Sequence, residues 1–315
     1  MDEILEKYQV RKSNKQKTVF IEYLKERLEK SGYDREKDIA VEEKGHGLLK
    51  SRNIVVGNPA TAKVVFTAHY DTCAVIPFPN LMAPTNPFLF IGYQIFLTVL
   101  LLGIASLVAY PVLRVTENPL LAYYAFLGML LLMLYHLLFG FRSKHTANDN
   151  TSGILLLTKI LEALPAEDRE KVCVVYFDNE EKGLLGSSFF AQKYKKEMKD
   201  RLLINFDCVG DGNNIVTMAK KEAREDALYP LFTEELQREE KTAEVVYLSR
   251  KMKFMMFPSD QSHFNKGIGV CSLKKGIFGR YVGRIHTPLD TKCREENIRY
   301  LTRAMTGFAE KIGEE

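Results

Sequence analysis

Two long uncharged stretches constrain this chain more than any other feature of its sequence. Residues 72–113 contain no Asp, Glu, Lys or Arg, and residues 118–141 contain none either. Within these stretches, residues 88–109 and 119–139 are almost entirely apolar. At about 1.5 Å per helical residue, each apolar run reaches roughly 30 Å, which is the thickness of the hydrocarbon core of a bilayer. Each run is therefore long enough to span a membrane as a helix.

The two apolar runs predict a helical hairpin. Pro111 and Pro119 flank a short linker at residues 114–118, and a connection this short requires antiparallel neighbours. We expect helices at about 88–110 and 119–141. Three glycines within them would allow close packing of the pair: Gly92, Gly103 and Gly128. Two buried core helices or an apolar dimer interface are the alternatives, but helices without any polar stripe are typical of membrane spans.

The rest of the chain is hydrophilic, and its charge limits the classes of partner. The 44 Lys and Arg residues nearly balance the 40 Asp and Glu residues, and the net charge of +4 is too small for a nucleic-acid-binding surface. We therefore expect no nucleic acid as a partner and, because of the hairpin, a lipid bilayer. The five cysteines have no C-x-x-C spacing, which suits reduced thiols better than a disulfide framework.

The flanks of the hairpin predict its orientation. The first residues of the chain, MDEILEK, have neither a positive n-region nor an apolar h-region, so they do not resemble a signal peptide. We expect residues 1–85 and 141–315 to form one split domain on the cytoplasmic side, with residues 86–140 as a two-helix membrane insertion. Arg142 and Lys144, beside the second helix, agree with the positive-inside rule.

Alternating strand and helix patterns predict the fold of the hydrophilic domain. Short β-rich runs occur at residues 63–68, 171–177, 201–206 and 268–273, and helical patterns occur at residues 152–164, 184–198, 223–239 and 295–312. An amphipathic helix precedes Gly32, with apolar positions at Val19, Phe20, Tyr23, Leu24 and Leu28. This arrangement is typical of an α/β fold, in which a mostly parallel mixed sheet is flanked by helices on both faces.

Acidic and imidazole groups stand where three of these strands end. His69 and Asp71 follow the first strand, Glu180 and Glu181 follow the second, and Asp207 follows the third. In open parallel sheets, functional groups gather at the carboxyl ends of the strands. Taken singly, such residues are more often a hydrogen-bonded structural histidine, a solvated glutamate pair or a helix-capping aspartate than metal ligands. Their combination at one edge of the sheet favours a metal site.

The order of motifs along the chain is more specific. After His69 and Asp71 come ANDNTSG at residues 147–153, the pair at 180–181, NFD at residues 205–207, SD at residues 259–260 and IHTPLDT at residues 285–291. From residue 50 to about 310, apart from the hairpin, this order closely resembles the di-zinc aminopeptidases related to bacterial leucyl aminopeptidase, glutamate carboxypeptidase and glutaminyl cyclase. The resemblance implies a zinc-peptidase three-layer sandwich, here with an inserted transmembrane hairpin.

The resemblance also implies a set of metal ligands. His69 and Asp207 would bind one zinc ion. Glu181 and His286 would bind a second ion, and Asp149 would bridge the two ions. Two imidazoles and three carboxylates suit zinc, and a bridging carboxylate can hold two cations about 3.5–4 Å apart. The resemblance therefore implies two Zn²⁺ ions per chain.

The neighbours of these ligands receive roles from the same resemblance. Glu180 would be the general base that takes a proton from the metal-bound water and yields the attacking hydroxide. Asp71 would orient the imidazole of His69. Asp290 would either do the same for His286 or serve only as the cap of a turn or helix.

The chain departs from the family at a position where many members have Ser-Asp-His. It has Ser259, Asp260 and Gln261 there, with His263 two places later. Some relatives have a tyrosine that assists the oxyanion three residues before the serine, and this chain has Met256. These differences concern the surroundings of the site and leave its five expected ligands intact.

Together these features predict a membrane-anchored di-zinc metallo-aminopeptidase that hydrolyses N-terminal residues from peptides with a free N-terminus. A glutaminyl cyclase-like acyltransferase is the first alternative, but relatives with that activity line their pocket with tryptophan, and this chain has none. A non-catalytic membrane scaffold of the same fold is the second alternative. The presence of all five ligands and of the base argues against a scaffold.

Overall fold

In the computed structural model, the strands of the described residues form one ten-stranded mixed sheet. The structure describes residues 2–76, 80–251, 257–277 and 279–313. The strands are β1 (Ile39–Lys44), β2 (Ser51–Val56), β3 (Val64–His69), β4 (Leu81–Met82), β5 (Val172–Phe177), β6 (Leu202–Phe206), β7 (Asn214–Ala219), β8 (Val246–Lys251), β9 (Gly267–Gly276) and β10 (Gly279–Gly283). Their order across the sheet is β1-β2-β5-β3-β6-β9-β10-β4, and β7 pairs with both β8 and β9.

The centre of the sheet is parallel, as the sequence predicts. β5, β3, β6 and β9 lie side by side and run in the same direction, and they correspond to the four β-rich runs. β1, β2, β4 and β10 pair antiparallel, and β7 is antiparallel to β9 but parallel to β8. Because strands buried on both faces are apolar throughout, β3, β5 and β6 have nearly continuous apolar sequences, whereas the edge strand β1 includes exposed charged residues.

Helices cover both faces of the sheet and make three layers. The helices of the described part of the chain are α1 (Glu3–Lys7), α2 (Asn14–Lys30), α3 (Pro87–Thr116), α4 (Pro119–Phe139), α5 (Ser152–Ala163), α6 (Leu185–Lys193), α7 (Lys221–Arg224), α8 (Leu228–Glu240) and α9 (Glu295–Lys311), and α3 and α4 do not belong to these layers. Val64 and Phe66 of β3 pack in a core shared with α2, α5, α8 and α9. Val65 packs in a second core shared with α6. Successive side chains of a strand point to opposite faces, so β3 joins both cores.

Two helices differ from the prediction, one in where it ends and the other in being divided. α6 ends at Lys193, whereas the pattern predicted a helix to residue 198. The helix predicted at residues 223–239 is divided into α7 and α8. The Asp226 carboxylate accepts a hydrogen bond from the backbone N–H of Leu228 at 2.9 Å, which caps the start of α8 and competes with a continuous helix.

The amphipathic helix α2 is present, but its buried face differs from the predicted one. Its apolar stripe includes Phe20 and Leu24, as expected, whereas Val19 is exposed. Lys17 lies on the buried face and is only 1 % exposed. The apolar spacing says nothing about Lys17, whose burial is possible because its ammonium group pairs with the buried carboxylate of Asp178.

The helical hairpin consists of α3 and α4, joined at Glu117 and Asn118. The predicted end of the first helix at residue 110 was wrong, because α3 continues through Pro111 to Thr116. A proline removes one backbone hydrogen bond from a helix interior, and membrane-type helices tolerate that loss. The second helix begins at Pro119, as predicted, and ends at Phe139 rather than at residue 141.

The hairpin is almost entirely outside the core of the chain. Of the residues of α3 and α4, only Ala105 and Ala122 are buried. No atom lies close to the positions that a side chain would occupy at the three glycines, so their expected role in close packing was wrong. Both helices are long and apolar enough to cross a membrane. In each helix, only 6 % of an apolar segment of 18 residues is buried. The alternative of two core helices does not fit this exposure.

Candidate metal centre

The carboxyl ends of three neighbouring parallel strands bring the polar motifs together. β3 lies between β5 and β6. His69 is the last residue of β3, Glu180 and Glu181 follow β5 by three and four residues, and Asp207 directly follows β6. These residues therefore meet at one edge of the sheet, as their positions after the strands predicted.

Asp149 lies in the middle of this group and faces both imidazoles. Its Oδ1 is 3.2 Å from Nε2 of His69, and its Oδ2 is 3.1 Å from Nε2 of His286. Asp207 Oδ1 lies 3.7 Å from the same nitrogen of His69. Glu181 Oε2 lies 3.3 Å from Nε2 of His286. The five expected ligands thus form two sets that share one carboxylate.

His286 reaches this position through an unusual backbone conformation. Its φ of 58° lies in the left-handed region, which is uncommon for residues other than glycine. The carbonyl oxygen of His286 accepts a hydrogen bond from the backbone N–H of Ile76 at 2.9 Å. This bond joins the loop of His286 to the segment that follows β3, so the two imidazole ligands are held by connected loops.

Asp71 lies beside His69 and also accepts hydrogen bonds from the backbone of Glu180 and Glu181. Its Oδ1 is 3.4 Å from Nδ1 of His69 and also accepts a hydrogen bond from the backbone N–H of Glu180 at 3.0 Å. Its Oδ2 accepts a bond from the N–H of Glu181 at 3.3 Å. The structure therefore places Asp71 where it positions the loop of both glutamates in addition to the imidazole.

Asp290 performs an equivalent task for the loop of Asp149. Its two carboxylate oxygens accept hydrogen bonds from the backbone N–H groups of Asn148 and Asp149, at 2.9 and 3.0 Å. The proposed role beside His286 was wrong, because these bonds go to the Asp149 loop instead. Burial, together with the nearby charge of Asp149, raises the pKa of Asp290 to about 7.

Two asparagines that the sequence reasoning left without a role join the loops to one another. Asn148 Oδ1 accepts hydrogen bonds from the backbone N–H groups of Gly210 and Asp211, at 2.7 and 2.9 Å. Asn150 donates to the carbonyl oxygen of Phe206 at 2.9 Å. Because a Cβ atom at Gly153 would lie 2.5 Å from that same carbonyl oxygen, only glycine fits there. The ANDNTSG motif therefore also packs the start of α5 against the end of β6.

The N-terminal segment supplies two buried cations that the sequence reasoning missed. Arg11 donates through Nε to the carbonyl oxygen of Tyr70 at 2.5 Å and through Nη2 to Thr151 Oγ1 at 3.1 Å. Burial lowers the pKa of Arg11 to about 9. Lys17 forms a buried ion pair with Asp178, two residues before Glu180. Both cations precede residue 50, where the family resemblance begins.

The SDQ segment contributes a further buried carboxylate. Asp260 is buried, and burial raises its pKa to about 7. Gln261 accepts a hydrogen bond from Asn205 at 2.9 Å and donates to the carbonyl oxygen of Phe257 at 2.8 Å, so it acts within the core. His263 is exposed and does not replace the histidine of the family pattern. Met256 lies outside the described residues.

Negative charge is concentrated at the site. Burial raises the pKa of Glu180 well above its usual range, and the carboxylates of Glu181 and Asp260 raise it further. Burial opposes protonation of His69, but the negative charge of Glu180 and the hydrogen-bonding carboxylates of the site together outweigh this effect and raise the pKa of His69 well above its ordinary value. A buried region with this many carboxylates is stabilised by bound cations.

The donor atoms fit zinc. Imidazole nitrogens and carboxylate oxygens are common zinc ligands. Oε1 of Glu181 is buried and has no hydrogen-bond partner among the residues that the structure describes, which leaves it available to a cation. Among the described residues, three sets of side chains could each hold an ion, because the donor atoms within a set lie within 4.8 Å of one another. The sets are His69, Asp149 and Asp207; His69, Glu180 and Glu181; and Cys73, Glu181 and His286. Cys73, which the sequence reasoning treated as structural, therefore lies beside the second set of ligands.

A comparison with protein families gives a match that covers more than half of the chain. The family described as peptidase family M28 matches residues 135–306. The match begins within α4, so His69 and Asp71, which precede the hairpin, fall outside it. No curated protein sequence matches the chain.

Solved structures share the fold at low sequence identity. The LapA aminopeptidase of Legionella pneumophila is 14 % identical, with a TM-score of 0.54 over 99 % of this chain and 68 % of that chain. A Zn-dependent exopeptidase from Parabacteroides distasonis is 14 % identical, with a TM-score of 0.53 over 96 % and 91 %. The glutaminyl cyclase of Porphyromonas gingivalis is 13 % identical, with a TM-score of 0.56 over 98 % and 96 %.

Proposed function

The chain belongs to peptidase family M28, and from this premise we propose that it is a membrane-anchored zinc aminopeptidase that releases N-terminal residues from peptides. One observation carries the proposal. The two carboxylate oxygens of Asp149 face different imidazoles, those of His69 and His286, at 3.2 and 3.1 Å. A carboxylate in this position suits a bridge between two cations.

Two zinc ions per chain follow from that arrangement as part of the proposal. His69, Asp149 and Asp207 would hold one ion. Asp149, Glu181 and His286 would hold the other. When bound, the two ions supply Lewis acidity, which lowers the pKa of a water molecule and polarises the carbonyl of the bond to be cleaved.

Glu180 is the proposed general base. It lies in the loop after β5, directly before Glu181, and its backbone N–H donates a hydrogen bond to the carboxylate of Asp71. Burial and the neighbouring carboxylates raise the pKa of Glu180 well above its usual range, so its carboxylate is a stronger base than a solvent-exposed glutamate. Glu180 accepts a proton from the attacking water and returns it to the amine that leaves when the C–N bond breaks.

The size of the cavity over the site favours an exopeptidase. The cavity at the metal centre has a volume of about 200 Å³, which is below the roughly 300–1,000 Å³ of typical small-molecule pockets. A space of this size holds about one residue, which favours the end of a peptide over the middle of a long chain. We therefore propose a peptide with a free N-terminus as the substrate.

The hairpin is the proposed membrane anchor. An exposed pair of apolar helices is stable in hydrocarbon, where all of its backbone groups bond internally. On this proposal, residues 86–140 insert as a two-helix hairpin, and residues 1–85 and 141–315 form one split peptidase domain on the cytoplasmic side. Recovery of the whole protein in the soluble fraction without detergent would contradict the anchor.

Peptide profiling tests the proposed activity. The zinc-loaded full chain in lipid nanodiscs is incubated with matched peptides that have free or acetylated N-termini, and products are identified by mass spectrometry. We expect single N-terminal residues to be released from the free peptides only, with loss of activity after chelation and recovery with zinc. Internal cleavage, or equal cleavage of acetylated peptides, would contradict an aminopeptidase.

The same experiment separates the competing activities. Peptides that begin with glutamine would lose ammonia without hydrolysis if the protein were a cyclase. Absence of any metal-dependent product across the peptide set would favour the scaffold.

A further inference from the structure

The first helix of the hairpin forms part of the wall of the catalytic cavity. Phe90 and Gln94 of α3 line the same cavity as His69, Glu180 and His286. Residues four positions apart lie on one face of a helix, so Phe90 and Gln94 present a single surface to the site. The element that is proposed to anchor the protein therefore also bounds the space where substrate binds.

The unequal lengths of the two helices explain how α3 reaches the cavity. α3 has 30 residues and α4 has 21. Because α3 ends and α4 begins at the shared turn, the additional nine residues of α3 lie at its start, at residues 87–95. They extend α3 by about 14 Å beyond the end of α4, and a 30-residue helix of about 45 Å exceeds the roughly 30 Å hydrocarbon core by a similar amount.

The chemistry of the two side chains suits a substrate pocket. An amide that faces lipid without partners loses its hydrogen bonds to water, so a glutamine within an apolar helix is costly unless it serves a polar space. Gln94 faces such a space. Phe90 is one of the apolar residues that line the same cavity, as are Met82 and Ile285.

We infer that Phe90 and Gln94 are specificity residues of the peptidase. Phe90 packs against an apolar side chain on the first residue of the substrate, and Gln94 forms a hydrogen bond with the main chain of the peptide. The inference rests on the proposed function and names its substrate class: peptides whose free N-terminal residue is apolar. Because the wall is built by the overhang of a membrane helix, these peptides bind next to the lipid surface.

Steady-state kinetics test the inference with a matched control. The zinc-loaded full chain and its variants are assayed in nanodiscs on Leu-Gly-Gly and Ala-Gly-Gly. Phe90→Ala should raise KM for Leu-Gly-Gly about tenfold and affect Ala-Gly-Gly less, because a lost contact in an apolar pocket changes discrimination on this scale. Gln94→Leu should raise KM for both peptides with kcat nearly unchanged. Phe88→Ala is the control, since Phe88 is 88 % exposed and two positions away.

A second measurement does not depend on activity. The chain has no tryptophan, so Phe90→Trp and Phe88→Trp each introduce a single tryptophan, which can be excited selectively at wavelengths where tyrosine does not absorb. Cobalt titrated into the metal-free variants should quench the emission of the residue at position 90 strongly and that at position 88 weakly. Equal quenching at both positions, or identical peptide kinetics for Phe90→Ala and Phe88→Ala, would overturn the inference.

Failure of the inference differs from failure of the proposed function. If wild-type protein cleaves peptides but both substitutions at position 90 behave like their controls, only the role of α3 is wrong. If wild-type protein binds cobalt and cleaves no peptide, the peptidase proposal fails and the substrate assignment fails with it. The quenching result then still shows whether α3 borders the metal centre.

Discussion

The metal centre buries charged side chains, whereas the hairpin exposes apolar ones. At the metal centre, charged side chains are buried, and the backbone N–H groups of loops that carry them donate hydrogen bonds to the side-chain oxygens of Asp71, Asp290 and Asn148. In the hairpin, leucines and aromatic residues are exposed, and Ala105 and Ala122 are its only buried residues. The first region requires partners within the protein, whereas the second requires a partner outside it.

The contrast shows where each region is sensitive to substitution. A buried charge depends on specific neighbours, so its loss should act on chemistry or stability. An exposed apolar face depends on its surroundings, so a charge placed there should act on membrane insertion and leave the chemistry intact. Changes that produced the same defect in both regions would break this comparison.

The largest effect is expected at the general base. Glu180→Gln should reduce kcat by at least ~100-fold, since general bases commonly contribute 10²–10⁴-fold. Zinc content should remain that of the wild type, because Glu180 is not among the proposed ligands. Turnover and bound zinc are measured on the same preparation, and Glu225→Gln, at an exposed position, serves as the control. Unchanged turnover in Glu180→Gln would reject the proposed mechanism.

A stability defect is expected from the buried ion pair of the N-terminal segment. Lys17→Met leaves the carboxylate of Asp178 buried without its cation, which should cost about 3–5 kcal/mol of the free energy of unfolding. The free energy is measured by denaturant titration in detergent. Lys7→Met breaks an exposed pair with Glu3 and should leave the stability unchanged. An equal effect of both substitutions would show that Lys17 and Asp178 are not a structural pair.

An effect on insertion is expected in the hairpin. Leu131 lies near the middle of α4 and is 56 % exposed. Leu131→Arg should weaken insertion by about 2.5–3.5 kcal/mol, the cost of arginine at the centre of a membrane helix. The membrane-bound fraction after alkaline extraction measures this loss, with Leu131→Phe as the control. Unaltered membrane association of the arginine variant would contradict a lipid-facing hairpin.

A smaller effect is expected at Asp290, whose carboxylate clamps the loop of Asp149 by accepting hydrogen bonds from its backbone. Asp290→Asn keeps one acceptor for the Asp149 loop and loses the other, so zinc affinity should fall about 10- to 100-fold, as is usual for partners of metal ligands. Competition with a chromophoric chelator measures the affinity. Asp200→Asn, at an exposed position, should retain wild-type affinity. Full affinity in Asp290→Asn would mean that the loop of Asp149 holds its shape without the clamp.

The features that could be predicted from the sequence are those with a local signal. β3, β5 and β6 have apolar sequences because both of their faces are buried, and the ligands follow the ends of these strands. The apolar hairpin was recognisable from its composition alone. The predicted helix end at Pro111 was wrong, because α3 continues through this proline although one backbone hydrogen bond is missing there.

The remainder depends on contacts between distant parts of the chain. Asp290 bonds to Asn148 across 142 positions, and no local pattern specifies which backbone groups a carboxylate will meet. Lys17 did leave a signal, since a lysine spaced three and seven positions before Phe20 and Leu24 interrupts an apolar stripe. The position of Phe90 and Gln94 at the cavity follows from the unequal lengths of two helices, which became evident only with the structure.

Counting and locating the bound metal tests the central claim most directly. Purified full-length protein saturated with zinc is analysed for metal content, and the ions are located by anomalous diffraction at the zinc edge. The account predicts two ions per chain on either side of the Asp149 carboxylate, one next to His69 and the other next to His286. A single ion, or ions bound away from Asp149, would contradict the proposed bridge.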